Sequence, residues 1–220
     1  HVGNRKEALA GLCKMLLSRS ILRFTRSEVI GSPSDLIPWD DERIPDNLRK
    51  VVNWCVDNGA YKPFRGKTVG HFAVKLSGEE FLTSIRGSNF NTDLKERGLT
   101  RVITSGKDKV FALGAGQSQR AIFKDHPDTD CIVHFHCPPR PGAFVNFAPQ
   151  WPYECGSTEC GENTSQNLHD YGNGIKAVML DNHGPNIVFS KSIPAKRVIE
   201  FISQNFDLSS KTGGPIELPS

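Results

Sequence analysis

A short apolar stretch that ends in two histidines constrains this chain more than any other feature. Residues 130–136 read Asp-Cys-Ile-Val-His-Phe-His, and Cys137 and Pro138 follow. The apolar run predicts a buried strand, which the Pro-rich residues 137–149 cannot continue. Successive side chains of a strand alternate between its faces, so His134 and His136 point the same way. Two imidazoles on one rigid face are a good start on a divalent metal site, because imidazole nitrogen is a common zinc ligand.

The length and amino-acid composition of the chain are those of a globular protein that needs no disulfide or metal in order to fold. The chain has 220 residues, 37% of them hydrophobic and 23% charged, which predicts one domain or one domain with an extension. The formal net charge of +3 is too small to indicate nucleic-acid binding, and no apolar run is long enough to span a membrane. No secretory signal is visible, so we expect reduced cysteines and a cytoplasmic location.

Composition and periodicity divide the chain into three parts. Residues 1–44 are predicted to form an N-terminal helical extension and linker, with an amphipathic helix over residues 5–18. Residues 45–208 form the central domain, where sequential strands separated by short turns are mixed with helices. That order favours an α/β (α+β-like) fold with a mostly antiparallel sheet flanked by helices. The Ser-, Gly- and Pro-rich residues 209–220 are expected to be a flexible tail.

Turn and capping signals give the elements of the central domain. Helices are predicted over 45–58, 118–124, 158–171 and 194–206. Strands are predicted over 68–76, 80–83, 99–104, 110–113, 130–136, 175–180 and 186–189. Ser157 or Thr158 can cap the third helix, with Glu159 and Glu162 in its first turn.

His183 is the histidine best placed to join the first two. It follows a buried strand and lies between Asn182 and Gly184, where the backbone can turn and expose a side chain. Three histidines with an open position are the arrangement of catalytic zinc. Spacing alone leaves an alternative open, in which His134 and His136 are one satisfied buried histidine and one surface histidine.

Several further motifs follow one another in a definite order around the histidines. They are residues 81–89 (Phe-Leu-Thr-Ser-Ile-Arg-Gly-Ser-Asn), 124–128 (Lys-Asp-His-Pro-Asp), 134–138 (His-Phe-His-Cys-Pro), 156–159 (Gly-Ser-Thr-Glu) and 182–184 (Asn-His-Gly). As an ordered set they resemble the class II aldolase/adducin family, the metal-dependent sugar-phosphate aldolases and epimerases. The resemblance covers about residues 45–205.

The resemblance implies both an architecture and a cofactor. The family fold is a central, largely antiparallel sheet with helices on both sides, which usually assembles as a homotetramer with active sites at subunit boundaries. By resemblance, His134, His136 and His183 are the ligands of a divalent metal, Zn²⁺ before others. In the aldolases of the family this metal polarises substrate oxygens and stabilises the enediolate that forms when a carbon–carbon bond breaks. The implied partner is a small phosphorylated or carboxylated substrate, without nucleic acid or membrane.

The phosphate-binding motifs of the family are matched only in part. Ser84 and Gly87 fall on a Thr and a Gly of its phosphate loop. Arg86 replaces a small residue there and can grip a phosphate or carboxylate through two N–H groups, unless it is an ordinary surface arginine. Where the family reads Gly-Asn-Ile-Ser, residues 70–73 read Gly-His-Phe-Ala, so His71 either replaces the lost asparagine or is a packed strand histidine.

The proton-transferring glutamate of the family is missing from its usual place. Residues 112–119 contain no carboxylate, and even with a short gap only Gln117, Ser118 or Gln119 falls there. A glutamine can orient a substrate but takes up no proton at neutral pH. We expect Glu159 to replace the missing base, in preference to Glu154. The alternative is that Glu159 only favours the positive end of its own helix.

Three functions follow from this mixture of matches and departures. The first is a metal-dependent lyase of the class II aldolase type that cleaves a carbon–carbon bond of a small sugar phosphate or hydroxy acid. The second is a pentulose-phosphate epimerase, and the third is a non-catalytic, adducin-like domain that kept the fold. The missing glutamate favours the third function, whereas the three retained histidines favour the first two.

Overall fold

The computed structural model describes residue 9 and residues 36–77, 80–105, 109–111, 116–150 and 157–212. The helix predicted over residues 5–18 and the last residues of the predicted tail lie outside this part of the chain, as does Glu154. Within the part described, no helix is both long enough and apolar enough to cross a bilayer.

Strands and short helices alternate irregularly along the described residues. The strands are β1 (Leu36–Ile37), β2 (Pro63–Phe64), β3 (Lys67–Thr68), β4 (His71–Ser77), β5 (Glu80–Ser84), β6 (Leu99–Ser105), β7 (Lys109–Phe111), β8 (Cys131–His134), β9 (Phe147–Ala148), β10 (His169–Asp170), β11 (Ile175–Leu180) and β12 (Gly184–Phe189). The helices are α1 (Asp46–Asp57), α2 (Leu94–Arg97), α3 (Gln117–Asp125), α4 (Thr158–Gln166) and α5 (Ala195–Asn205).

Ten of these strands form one sheet, which has β8, the strand that ends at His134, near its centre. The order is β1-β6-β5-β4-β8-β12-β11-β10, with β7 beside β6 and β9 beside β11. Only the β9/β11 pairing is parallel among the pairings in the described residues. The mostly antiparallel sheet predicted from the sequence is therefore confirmed. Strands β2 and β3 form a separate hairpin.

Alternation of side chains along β8 divides the interior into two cores. Val133 and Phe135 lie in the larger core, together with the buried sides of α1 and α5. Ile132 points to the opposite face, into a smaller core that includes Ile122 of α3. Helices thus cover both faces of the sheet, because an apolar side chain of this size gains about 1.5–3 kcal/mol on full burial. His134 alternates with Val133 and falls on the α3 face.

The helix predicted to run to about Tyr171 ends earlier, at Gln166. His169 and Asp170 instead form β10, which pairs with β11. The prediction was wrong because Gly172–Gly174, interpreted as a helix stop, closes this hairpin with all three residues at positive φ.

Residues on either side of the central domain also lie against it. Strand β1 pairs with β6, and Trp39 and Ile44 are buried in the larger core, although β1, Trp39 and Ile44 fall within the residues assigned to the extension. At the other end, the backbone amide of Thr212 donates to the carbonyl oxygen of His136 at 3.2 Å. The sheet and core of the central domain therefore begin by Leu36.

Candidate metal centre

Three histidine side chains converge at the end of the central strand. His134 is the last residue of β8, His136 follows it beyond the strand, and His183 ends the turn between β11 and β12. Because β8 and β12 are antiparallel, with His134 opposite Asn186, the start of β12 lies beside the end of β8. One nitrogen of each imidazole lies within 4.8 Å of the corresponding nitrogens of the other two.

Hydrogen bonds fix which nitrogens face one another. The Nδ1–H of His134 donates to the carbonyl oxygen of Pro185 at 2.8 Å, and that of His183 donates to Oε1 of Gln150 at 2.6 Å. An imidazole that donates from Nδ1 keeps its lone pair on Nε2. The two Nε2 atoms lie 3.2 Å apart. Two lone pairs directed at each other across this distance fit a shared cation, so the donor set suits a divalent metal.

The cluster is enclosed, which keeps the imidazole of His134 in the metal-binding form. His134 and His183 are buried and His136 is half-buried. Burial lowers the pKa of His134 to about 4, against the smaller opposing effect of its hydrogen bond to Pro185. The ring is therefore neutral at pH 7, and a neutral imidazole is what a metal requires.

A fourth histidine and a glutamine border the cluster. His71 of β4 lies opposite His134 in the sheet, and their ring centroids are 4.7 Å apart. Burial, together with the nearby His134 and His136, holds the pKa of His71 well below its usual value. The buried Gln119 donates from Nε2 to Nδ1 of His71 at 2.9 Å. Gln119, one of the three residues expected near the place of the missing carboxylate, thus holds a histidine beside the cluster.

The three residues predicted to bind substrate lie at the end of β5 and in the turn that follows it. Ser84 is buried, and its Oγ accepts the backbone N–H of Phe72 at 3.2 Å, which joins β5 to β4. Arg86 and Gly87 are exposed in the following turn. A Cβ built on Gly87 would lie 4.0 Å from Nζ of Lys67. Ser84 therefore has a structural role, and a second cation lies close to the turn that carries Arg86.

Glu159, the predicted base, is half-buried in the first turn of α4. The predicted cap at Ser157 is confirmed, because its Oγ accepts the backbone N–H of Cys160 at 3.0 Å. Cys160 also contacts Gln150, with 3.5 Å between Sγ and Nε2. The start of α4 is thus connected through one side chain to His183.

Gln150 is the residue of the site that the sequence pattern did not reveal. It is buried in the segment between β9 and α4, where prolines and aromatic residues give no periodic signal. Its partner His183 is 33 positions away along the chain. A glutamine with apolar neighbours in the sequence was the one available sign, because an amide that is buried among such residues needs a hydrogen-bond partner.

Comparison with solved structures identifies the fold. YgbL from Escherichia coli, a candidate aldolase/epimerase/decarboxylase, aligns with a TM-score of 0.52 and 18% identity over 73% of this chain and 85% of that one. L-fuculose 1-phosphate aldolase aligns with a TM-score of 0.52 and 16% identity over 79% of this chain and 85% of its own. The expected class II aldolase fold is therefore confirmed.

Comparison with curated protein sequences finds a relative that is named as a kinase and not as an aldolase. Phosphoglycerate kinase from Mycoplasma pneumoniae is 30% identical over 208 residues, which cover 91% of this chain. The chain spans 45% of the length of that kinase. No protein-family model matches the chain.

Proposed function

We propose that this chain is a metal-dependent lyase of the class II aldolase type, with His134, His136 and His183 as the ligands of a divalent metal, Zn²⁺ before others. The convergence of the three imidazoles carries the proposal. Two of the rings are already held through Nδ1, which leaves Nε2 for a metal. Three histidine ligands leave coordination positions open, as catalytic zinc sites do.

A metal held by three histidines suits cleavage of a substrate bond next to an oxygen atom that gains negative charge during the reaction. When bound, the metal supplies a Lewis acid that polarises a substrate carbonyl or hydroxyl. The chain's own task is to hold the three rings, and Pro185 and Gln150 do this for His134 and His183. We therefore favour carbon–carbon bond cleavage in a small sugar phosphate or hydroxy acid, where charge develops on such an oxygen.

The turn after β5 supports an anionic substrate. Arg86 is exposed there, and Lys67 lies close to Gly87. A guanidinium and an ammonium at one turn attract a phosphate or a carboxylate. We accordingly propose a small phosphorylated or carboxylated substrate, bound by Arg86 and Gly87 with Ser84 holding the turn. We also propose a cytoplasmic homotetramer, in line with the family that the motifs resemble.

Phosphoryl transfer, the activity named for the Mycoplasma pneumoniae protein, suits this site less well. Kinases use Mg²⁺ held by carboxylate oxygens and substrate phosphates. Imidazole nitrogens instead favour zinc, iron, nickel or copper. The three-histidine cluster therefore favours the lyase over a kinase.

An assay for cleavage of short ketose phosphates and unphosphorylated hydroxy acids tests the proposal. We expect turnover of at least one class of substrate, falling about 10³-fold after a chelator removes divalent metal and returning with Zn²⁺, Mn²⁺ or Co²⁺. Turnover that survives chelation would contradict the proposal. Epimerisation of a pentulose phosphate without cleavage would instead support the epimerase. A purified protein with no affinity for any divalent metal would support the non-catalytic, adducin-like domain.

Glu159 is the proposed general base, since it lies in the turn of α4 next to Cys160, which contacts the partner of His183. Replacing Glu159 with glutamine should lower kcat about 10²–10⁴-fold, the usual contribution of a general acid or base, without changing metal affinity. Glu162→Gln, at an exposed position of the same helix, is the matched control. Equal kcat values for the two variants would eliminate Glu159 as the base.

A further inference from the structure

We infer that Gln150 is a positioning residue that determines which nitrogen of His183 faces the metal centre. This inference rests on the proposed metal site. The side chain is 3% exposed, and its Oε1 lies 2.6 Å from Nδ1 of His183. At that distance an amide oxygen accepts a proton held on Nδ1, so His183 is in the tautomer whose Nε2 has a free lone pair.

The opposite tautomer of His183 could not bind a metal at the centre. With its proton on Nε2, His183 would direct an N–H at Nε2 of His134, which is 3.2 Å away. The two histidines would then hydrogen-bond to each other, and the lone pair of His183 would lie on Nδ1, directed at Gln150 and away from the metal centre. Gln150 therefore selects the tautomer that binds.

Contacts of Gln150 itself and of the two residues before it hold this side chain in place. Its Nε2 lies 3.5 Å from Sγ of Cys160 at the start of α4. Asn163, further along α4, donates from Nδ2 to the carbonyl oxygen of Pro149 at 2.9 Å. On the other side, the backbone amide of Asp181 donates to the carbonyl oxygen of Ala148 at 2.9 Å. The segment that carries Gln150 is thus held between α4 and the turn that carries His183.

His134 and His183 differ in how they are held. His134 donates to a backbone carbonyl, that of Pro185, whereas His183 relies on a side chain. No substitution removes a carbonyl oxygen, but one substitution removes the amide. Substitution of Gln150 should therefore change the affinity of the centre for metal.

The test compares metal affinity in Gln150→Met and Gln150→Glu. Methionine fills a similar volume but accepts no hydrogen bond from Nδ1, so Co²⁺ and Zn²⁺ should bind about 10–100-fold more weakly, the usual cost of losing such a partner. Glutamate only accepts, so it should keep wild-type affinity or exceed it. Affinity is measured by competition with a chromophoric chelator, and Gln166→Met, at an exposed position of α4, is the matched control.

A second measurement reads the tautomer without any metal. In ¹⁵N-histidine spectra of the metal-free protein, His183 should carry its proton on Nδ1 in the wild type and in Gln150→Glu. Wild-type protein with the proton on Nε2 would overturn the inference even if Gln150→Met did not fold. Affinity of folded Gln150→Met within twofold of wild type would overturn it too. A wild-type protein with this tautomer but no metal affinity would instead defeat the proposed function alone.

Discussion

Replacing His134 with alanine is expected to weaken divalent metal binding about 10²–10³-fold. Zinc sites with four protein ligands bind with about 10–16 kcal/mol, so each ligand contributes roughly 3–4 kcal/mol. His134 is buried at the centre of the cluster, with its ring centroid 5.1 Å from that of His136 and 4.8 Å from that of His183. The measurement is metal content after dialysis, together with calorimetric titration of Zn²⁺.

His169→Ala is the control for that experiment. His169 is exposed on β10 and is not a member of the cluster, so its loss should leave metal content unchanged. His183→Ala should behave like His134→Ala, because both rings direct Nε2 at the same point. Equal metal content in the wild type and His134→Ala would show that the cluster is not the binding site.

Gly184→Ala is expected to cause a large loss of stability, about 3 kcal/mol or more. A Cβ at this position would lie 2.0 Å from the carbonyl oxygen of Phe135 and 3.2 Å from Cα of His136. Both obstacles are backbone atoms, so relief requires the start of β12 to move away from the end of β8, and overpacking of this kind is costly. The movement would also separate His183 from its two partners. Denaturant unfolding and Zn²⁺ titration of the same variant measure both effects.

Gly66→Ala separates this clash from the general cost of adding a methyl group to glycine. Gly66 has a φ of +78° with no heavy atom within 4 Å of an added Cβ. Its replacement should therefore cost only the left-handed backbone conformation, about 1–2 kcal/mol, and leave metal binding intact. If both variants lost the same stability and both kept metal, the close approach of β12 to Phe135 would not matter to the site.

Local patterns were sufficient to predict the parts of the site that follow from one strand or one turn. The alternation along β8 predicted that His134 and His136 share a face, and the turn residues predicted the place of His183, although its side chain is buried and not exposed as expected. The structure brings these three rings together because β12 is antiparallel to β8. The pairing itself joins distant parts of the chain, so the resemblance to a family was needed to connect them.

The parts that could not be predicted depend on contacts across the sheet. His71 and Gln119 are 48 positions apart, and no periodicity indicates that their side chains are bonded. Gln119 was recognised only as one of three residues in the place of a missing carboxylate. The predicted end of α4 was wrong for a different reason. Residues Gly172–Gly174 are compatible with both a helix stop and a hairpin turn, and only the pairing of β10 with β11 decides between them.

The contact of Thr212 with the centre links the C-terminal segment to whatever binds there. Its amide donates to the carbonyl oxygen of His136, and its hydroxyl donates to that of His183. A cation that stabilises these two backbones is therefore expected to favour the docked position of Thr212, and by thermodynamic reciprocity docking of Thr212 raises the affinity for the cation by the same factor. We therefore expect amide hydrogen exchange at Thr212 to slow when the metal centre is occupied, so this amide reports metal binding from the C-terminal segment.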